Sequence, residues 1–232
     1  MAHSFCEKRV ALTFNVRYNL NRICRRNRRL EMEEFFMKKV ITIAREFGAG
    51  GGEIGRRVAK ELGIEFYDKD IILRTALANS KLDPELVRKW DERVPKSFGF
   101  AQSLFDFYNK PLDEELWQAQ RDAIREMANH ENCVIVGRNS EYILREFDHC
   151  LHVFAHAGFH WRVNRMSAMM PGVPISQVEK DVRDADRSRK KSCEYYTKQI
   201  YGDARNYDLT INTEKLGIDK AVEMVLDAAK LI

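Results

Sequence analysis

No run of eighteen consecutive apolar residues occurs in this 232-residue chain, and its most apolar stretches are broken by Asn, His or Arg. No segment therefore reads as a membrane-crossing helix. Cysteine is sparse: Cys6, Cys24, Cys133, Cys150 and Cys193 are odd in number and scattered, with no C-x-x-C pair. That excludes a zinc ribbon, a dithiol redox motif and a disulfide framework, and fits a reducing cytoplasm. Only 5 Pro and 12 Gly are present, too few for a fibrous or low-complexity protein, and no internal repeat is found. With 44% apolar residues the chain can bury one sizeable core, so one compact domain is expected.

Excess charge is missing from most of the chain as well. Of 39 Lys and Arg and 35 Asp and Glu, residues 1–36 hold eight and four, which leaves 31 of each sign for the remainder. The basic cluster Arg22, Arg25, Arg26, Arg28 and Arg29 fits an organelle-targeting segment or a nucleic-acid arm. The simpler reading takes Met37, directly before Lys38-Lys39-Val40-Ile41-Thr42-Ile43, as the natural start. Residues 1–36 are then a disordered or upstream extension, and residues 37–232 form the domain. A neutral domain does not favour nucleic-acid binding, even with Tyr195, Tyr196 and Tyr201 lying among Lys190, Lys191 and Lys198.

What is present is an alternation of strand and helix. Val40 to Ala44 is β-branched and nearly all apolar, as a parallel strand covered on both faces should be. Ile54, Val58, Ala59 and Leu62 then recur at helical spacing before Gly63, and Ile64 to Tyr67 reads as a second strand. Residues 69–130 are mainly helical in pattern, with helix starts at Asp83-Pro84 and Pro111-Leu112-Asp113. Cys133 to Val136, Cys150 to Phe154 and Leu209 to Ile211 supply three more strands. A terminal helix carries Ile218, Val222, Val225 and Leu226. Such alternation predicts a parallel sheet with helices on both faces.

Between the first strand and its helix lies Arg45-Glu46-Phe47-Gly48-Ala49-Gly50-Gly51-Gly52-Glu53-Ile54-Gly55. Backbone amides and the helix dipole bind phosphate at such a place, and glycine lets the chain curl close to the oxygens. Gly50 to Gly55 also satisfies G-x-G-x-x-G, with Asp68 and Asp70 further on where a ribose-binding acid stands in dinucleotide sites. A dinucleotide-binding oxidoreductase is therefore an alternative. Arg45, Glu46 and Phe47 intervene before the glycines, however, and this longer loop favours a P-loop.

The segments Ile41 to Gly48, Phe66-Tyr67-Asp68-Lys69, Val134-Ile135-Val136-Gly137-Arg138, Tyr195-Tyr196-Thr197 and Tyr207 to Asn212 together resemble the cytidylate kinase-like family of P-loop kinases, from Val40 to the C-terminus. The resemblance implies a three-layer P-loop kinase fold: a five-stranded parallel sheet flanked by helices, a helical acceptor-binding insertion at about 69–130 and an Arg-rich lid at about 184–206. It implies ATP and Mg2+ as cofactors. The loop from Arg45 through Gly48, Ala49, Gly50, Gly51, Gly52, Glu53 and Ile54 would bind the nucleotide, with Glu53 or Asp68 near the metal. Asp68, Arg74 and Arg138 would bind the substrate, and Arg187 and Arg189 of the lid, with Arg138, would be catalytic, spreading the charge of the transferring phosphoryl group.

Two positions depart from the pattern. A Walker A loop places Lys and Ser or Thr where this chain has Gly51 and Glu53, and the family's Gly-Gly-Arg-Glu-Ile-Gly has Gly52 in place of its arginine. Arg45 and Arg56 are the replacement cations nearest in sequence. The carboxylate that cytidylate kinases carry just after the Gly-Arg pair is replaced by Asn139-Ser140.

Other constellations are weaker. His152, His156 and His160 recur every four residues, but one lies in a strand and Gly158 interrupts the rest, which argues against a metal site. The aromatic stretch Phe98 to Tyr108 reads as core or as a homodimer contact, with covering of the acceptor site a further option. The expected activity is ATP-dependent phosphoryl transfer to a small nucleotide such as CMP or dCMP, with a nucleotide-binding pseudokinase as the alternative. Deleting residues 1–36 should leave the thermal unfolding midpoint and its rise on adding ATP unchanged. A collapse of either would make the tail part of the fold.

Overall fold

The structure is a computed structural model and describes residues 39–79 and 114–232. The basic extension, the helix starts at Asp83-Pro84 and Pro111 to Asp113, and the aromatic stretch Phe98 to Tyr108 lie outside the described residues.

Five strands form one parallel sheet: β1 (Val40–Arg45), β2 (Glu65–Tyr67), β3 (Cys133–Val136), β4 (Cys150–His156) and β5 (Leu209–Asn212), in the order β2-β3-β1-β4-β5. β1 is central, with Ile41 opposite Val134 on one side and Leu151 on the other. This is the fold expected from the alternation, and its order differs from the 3-2-1-4-5 arrangement of dinucleotide-binding sheets. The strands were legible because parallel strands covered on both faces are almost continuously apolar. Among the described residues the helices are α1 (Gly51–Leu62), α2 (Lys69–Asn79), α3 (Glu114–His130), the short α4 (Ser140–Ile143), α5 (Phe159–Met169), α6 (Ile175–Thr197) and α7 (Thr213–Ala229).

The pleat of β1 sorts the layers. Ile41 and Ile43 face α1 and α7, packing with Ile54, Val58, Val222 and Val225. Val40 faces the opposite layer, where Trp117, Ile124 and Met127 of α3 meet Ile143 and Leu144 beside α4. Thr42 shares that second face and is fully buried; its Oγ1 lies 2.8 Å from His152 Nδ1, so the hydroxyl is satisfied. Each fully buried Ile or Val contributes about 1.5–3 kcal/mol of transfer free energy. Helix α1 approaches the sheet closely at Gly55, where a Cβ would stand 2.8 Å from Val136 Cγ2.

Helices α5 and α6 pack on each other through Val163, Met166, Val178, Val182 and Ala185, with Phe47 of the glycine-rich loop in the same cluster. A buried ion network ties them to that loop. Arg162 of α5 donates from Nη1 to Phe47 O (2.8 Å) and to Asp186 Oδ2 (2.6 Å), and from Nε to Ala157 O (2.9 Å). Asp186 of α6 accepts the Phe47 amide at 2.7 Å, and Glu46 Oε2 lies 3.4 Å from Arg162 Nε and accepts the Ala157 amide at 3.2 Å. The loop entrance is thus held by two carboxylates and one guanidinium with their bonds made internally.

Leaving one member of a buried pair uncompensated costs about 3–5 kcal/mol, well beyond what an exposed pair contributes. Asp186→Ala is accordingly expected to lower unfolding free energy by about 3–5 kcal/mol, read by chemical denaturation. A loss below about 1 kcal/mol would class the pair with exposed ones.

Candidate active site

The site lies at the carboxyl ends of β1 and β3, where ligands bind in open parallel sheets. On one side is the glycine-rich loop. Gly48 and Gly50 adopt φ of 83° and 86°, the left-handed region glycine favours. Neither has room for a side chain: a Cβ on Gly48 would stand 3.0 Å from Arg162 O, and one on Gly50 would overlap Ile218 of α7. The loop is fixed by a turn from Ala49 N to Glu46 O (3.2 Å) and by Thr213 Oγ1, which donates to Ala49 O at 2.9 Å. The first bond of α1 runs from Ile54 N to Gly50 O at 2.9 Å. The amides of Gly51, Gly52 and Glu53 therefore open toward the helix start, where they and the helix dipole favour an anion.

Neither cation expected to replace the lysine occupies the loop's outer side. Arg56 is exposed, its guanidinium 5.1 Å from the centre of the Phe66 ring. The loop's cation is Arg165 of α5, with Nη2 2.5 Å from Glu53 Oε2 and Nη1 3.4 Å from Gly48 O. Glu53 also lies 3.9 Å from Arg57, so its carboxylate is engaged by guanidinium groups. Around Gly52 a Cβ would meet nothing within 4 Å, so the position of the missing arginine is open space.

On the other side is a small crevice, open to solvent, whose walls include Arg45, Gln120, Arg138, Glu141, Arg189 and Tyr201. Its turn is unusual: Gly137, Arg138 and Asn139 follow β3 with φ of 82°, 61° and 52°, three left-handed residues in succession. Arg45 links crevice and loop. Its side chain fills the space above Gly137, where any Cβ would overlap its guanidinium, and its Cβ lies where a side chain on Gly51 would go. Its carbonyl accepts the Tyr201 hydroxyl at 2.6 Å and Arg189 Nη1 at 2.9 Å.

Glu141 is 3% exposed, and burial pushes its carboxyl up to about 7, against the opposing effects of its own backbone amide and of Arg45. Its Oε2 has no hydrogen-bond partner, nor has either amide atom of fully buried Gln120 or the Nε of Arg189. Each such buried group costs about 1–3 kcal/mol until something meets it.

The expected residues thus divide. Arg45, Arg138 and Arg189 come together in the crevice, and the loop from Gly48 to Ile54 stands beside it. Arg187, two positions from Arg189 on α6, is 65% exposed and paired with Asp184 at 3.2 Å. Arg74 is exposed on α2 and does not line the crevice. Asp68 Oδ1 accepts the amides of Asp70 (3.0 Å) and Ile71 (3.2 Å), starting α2. Among the described residues no three His, Cys, Asp or Glu side chains converge as metal ligands, and the three histidines are spread over β4 and α5. Tyr196 stacks on Trp117 at 4.4 Å. Glu141, one residue beyond Asn139-Ser140, brings a carboxyl to the wall of the crevice. Arg165, Gln120, Glu141 and Tyr201 were not singled out from the sequence as site residues; a polar Gln120 within the apolar stripe of α3 was the available signal for one of them. No helix among the described residues is long and apolar enough to cross a membrane.

An uncharacterized protein from Eubacterium ventriosum is 24% identical over 83% of this chain and 99% of its own, with a TM-score of 0.62, which shows the shared fold. Shikimate kinase from Bacteroides thetaiotaomicron is 16% identical over 83% of this chain and 98% of its own, with a TM-score of 0.48. A gluconokinase from Sinorhizobium meliloti is 18% identical over 84% and 90%, with a TM-score of 0.43. No curated protein matches the sequence. Residues 40–215 match the cytidylate kinase-like family, and with three-quarters of its length inside that match the chain belongs to this family of P-loop kinase fold.

Proposed function

We propose that the protein transfers the terminal phosphoryl group of ATP to a small acceptor, a nucleoside monophosphate such as CMP or dCMP or a similar phosphorylated molecule. The observation that carries this reading is the single side chain of Arg45, which runs from the glycine loop to the crevice beside Gly137 and so spans donor and acceptor subsites. The reading also rests on the family membership and on the kinase fold.

The residues present fit a nucleotide triphosphate. Gly48 and Gly50 leave the cradle free of side chains, the amides of Gly51 to Glu53 face it, and Arg165 stands over it. Mg2+ binds through one or two carboxylates together with phosphate oxygens and water. Glu53 is the loop's carboxylate and would take that part by exchanging its ion pair with Arg165. The metal would neutralise charge on the donor phosphates.

In the crevice Arg138 holds the acceptor's phosphate, Arg189 meets the transferring phosphoryl group, and Arg45 lies along the path between the two phosphates. A phosphate oxygen of the acceptor forms the new bond to the terminal phosphorus of ATP, the bond to the bridging oxygen breaks, and ADP leaves. An ionised phosphate has no proton to lose, so no general base is needed and the work is positioning and charge stabilisation. A pseudokinase reading has one observation in its favour, the absence of both the loop lysine and the arginine at Gly52.

ADP release measured with Mg-ATP against CMP, dCMP and UMP, with a no-acceptor control, tests the assignment. Acceptor-dependent turnover supports it, ATP binding without turnover favours the pseudokinase, and no ATP binding removes the P-loop reading. Arg189→Ala is expected to reduce kcat by about 100-fold or more while changing ATP affinity little, as loss of a transition-state cation does. Gly52→Arg enters open space and is expected to tighten ATP binding several-fold, read by calorimetry. Unchanged affinity would place the donor phosphates away from this turn.

A further inference from the structure

A Walker A pattern, G-x-x-x-x-G-K, opens on a glycine and closes on the lysine that reaches the terminal phosphates. At the same separation this chain has Arg45 and Gly51, so the glycine and the cation stand in exchanged places. The packing gives that exchange a physical reason. A Cβ on Gly51 would lie 2.6 Å from Arg45 Cβ and 2.9 Å from its Cγ. These atoms are the root of the arginine, not its mobile end, and they move only with the backbone. That backbone is held: residue 45 pairs with Ala155 of β4, its amide donates to Tyr201 Oη at 3.2 Å, and its carbonyl accepts from Tyr201 and Arg189.

Gly51 is the first helical residue of α1, and its φ is not positive. Backbone geometry therefore does not call for glycine there, and glycine is a poor helix former. What requires it is the space taken by the stem of Arg45. At the other end, a Cβ on Gly137 would overlap Arg45 Nη1 and stand 3.1 Å from its Cζ. Two glycines from separate segments thus leave a passage that one arginine fills from stem to head, ending where the loop and the crevice meet.

We propose that Arg45 takes the part of the missing lysine as a catalytic residue: its guanidinium meets the terminal phosphoryl group of ATP, and Gly51 is the compensating position that admits it. Arg165 does not fill that part. It stands on the loop's outer side, gives its guanidinium to Glu53 and to Gly48 O, and is not on the crevice wall. A guanidinium is a planar fork that stays charged, so it can hold oxygens of two groups at once, here the terminal phosphoryl group and the bridging oxygen that ADP carries away. As the acceptor's oxygen bonds to the terminal phosphorus and the bond to the bridging oxygen breaks, negative charge gathers on that oxygen and no proton changes hands. A fixed cation beside it is the stabilisation the step needs. The inference rests on the phosphoryl-transfer reading for the identity of the donor.

Restoring the standard arrangement tests the exchange. Arg45→Ala is expected to lower kcat for ADP release about 100-fold or more, and to weaken ATP about 10-fold while leaving ADP within about 2-fold, both affinities read by calorimetry. Arg45→Lys, which keeps the stem and the charge, should retain turnover to within about 10-fold. Adding Gly51→Lys to Arg45→Ala puts a cation at the Walker position in the space just vacated. That double variant should regain about 10-fold or more of the lost turnover, together with the preference for ATP over ADP. Tm supplies a readout free of activity: Gly51→Ala should lower it by several degrees in the unaltered chain and not in the Arg45→Ala background. A folded double variant no better than Arg45→Ala in affinity and turnover would overturn the proposal, as would Arg45→Ala with both within about 2-fold of the unaltered chain. An ATP preference that follows Arg45 without any ADP release would uphold its contact with the terminal phosphate and remove the kinase reading. No ATP binding by the unaltered chain would remove both.

Discussion

Arg162 fixes what the rest of the site depends on. Its guanidinium is buried among Asp186, Glu46 and the carbonyls of Phe47 and Ala157, and through them three separate segments meet at the loop entrance. Charges placed this deep are costly to desolvate, and the cost is offset only when each polar atom finds a partner. Here the partners are main-chain groups of the loop as well as carboxylates, so the same bonds that satisfy the charge set the loop's path. Helix α6 consequently arrives with a fixed rotation, which turns Arg189 inward and leaves Arg187 in solvent.

A second constraint follows from the electrostatics of the crevice. Three guanidinium groups, those of Arg45, Arg138 and Arg189, share walls with one buried carboxyl. A concave, partly desolvated surface with excess positive charge concentrates anions. A cation also stands beside the loop despite the loop's unusual sequence. In a standard P-loop the charge rides on the loop itself; here Arg165 brings it from the facing helix, anchored to Glu53 and Gly48. The charge is delivered by tertiary packing, so its position depends on α5 remaining docked.

That difference explains which parts were legible in the sequence. The five strands could be read because burial on both faces leaves an apolar run, and the loop because left-handed turns with no room for a Cβ at 48 and 50 call for glycine. Gly137-Arg138 was readable as the end of a strand. Arg165 was not, since an arginine in a polar helix carries no mark of the loop it will face across more than a hundred residues. The lid was readable as a group and not by member, because a charge run does not state which side of the helix turns inward. Glu141 escaped notice for a similar reason: a lone glutamate two residues beyond Asn139 carries no mark in the sequence of the crevice it will line.

The backbone at Arg138 has a consequence for anyone who would make this protein sturdier. A non-glycine residue at φ 61° between two other left-handed residues carries conformational strain that glycine would relieve. A screen that rewards heat resistance alone would therefore tend to erase this arginine and fill the unmet polar positions of the crevice with hydrocarbon. The strain and the unmet polar groups lie in the candidate site, so a stabilised variant from such a screen would be a well-folded protein with that surface altered.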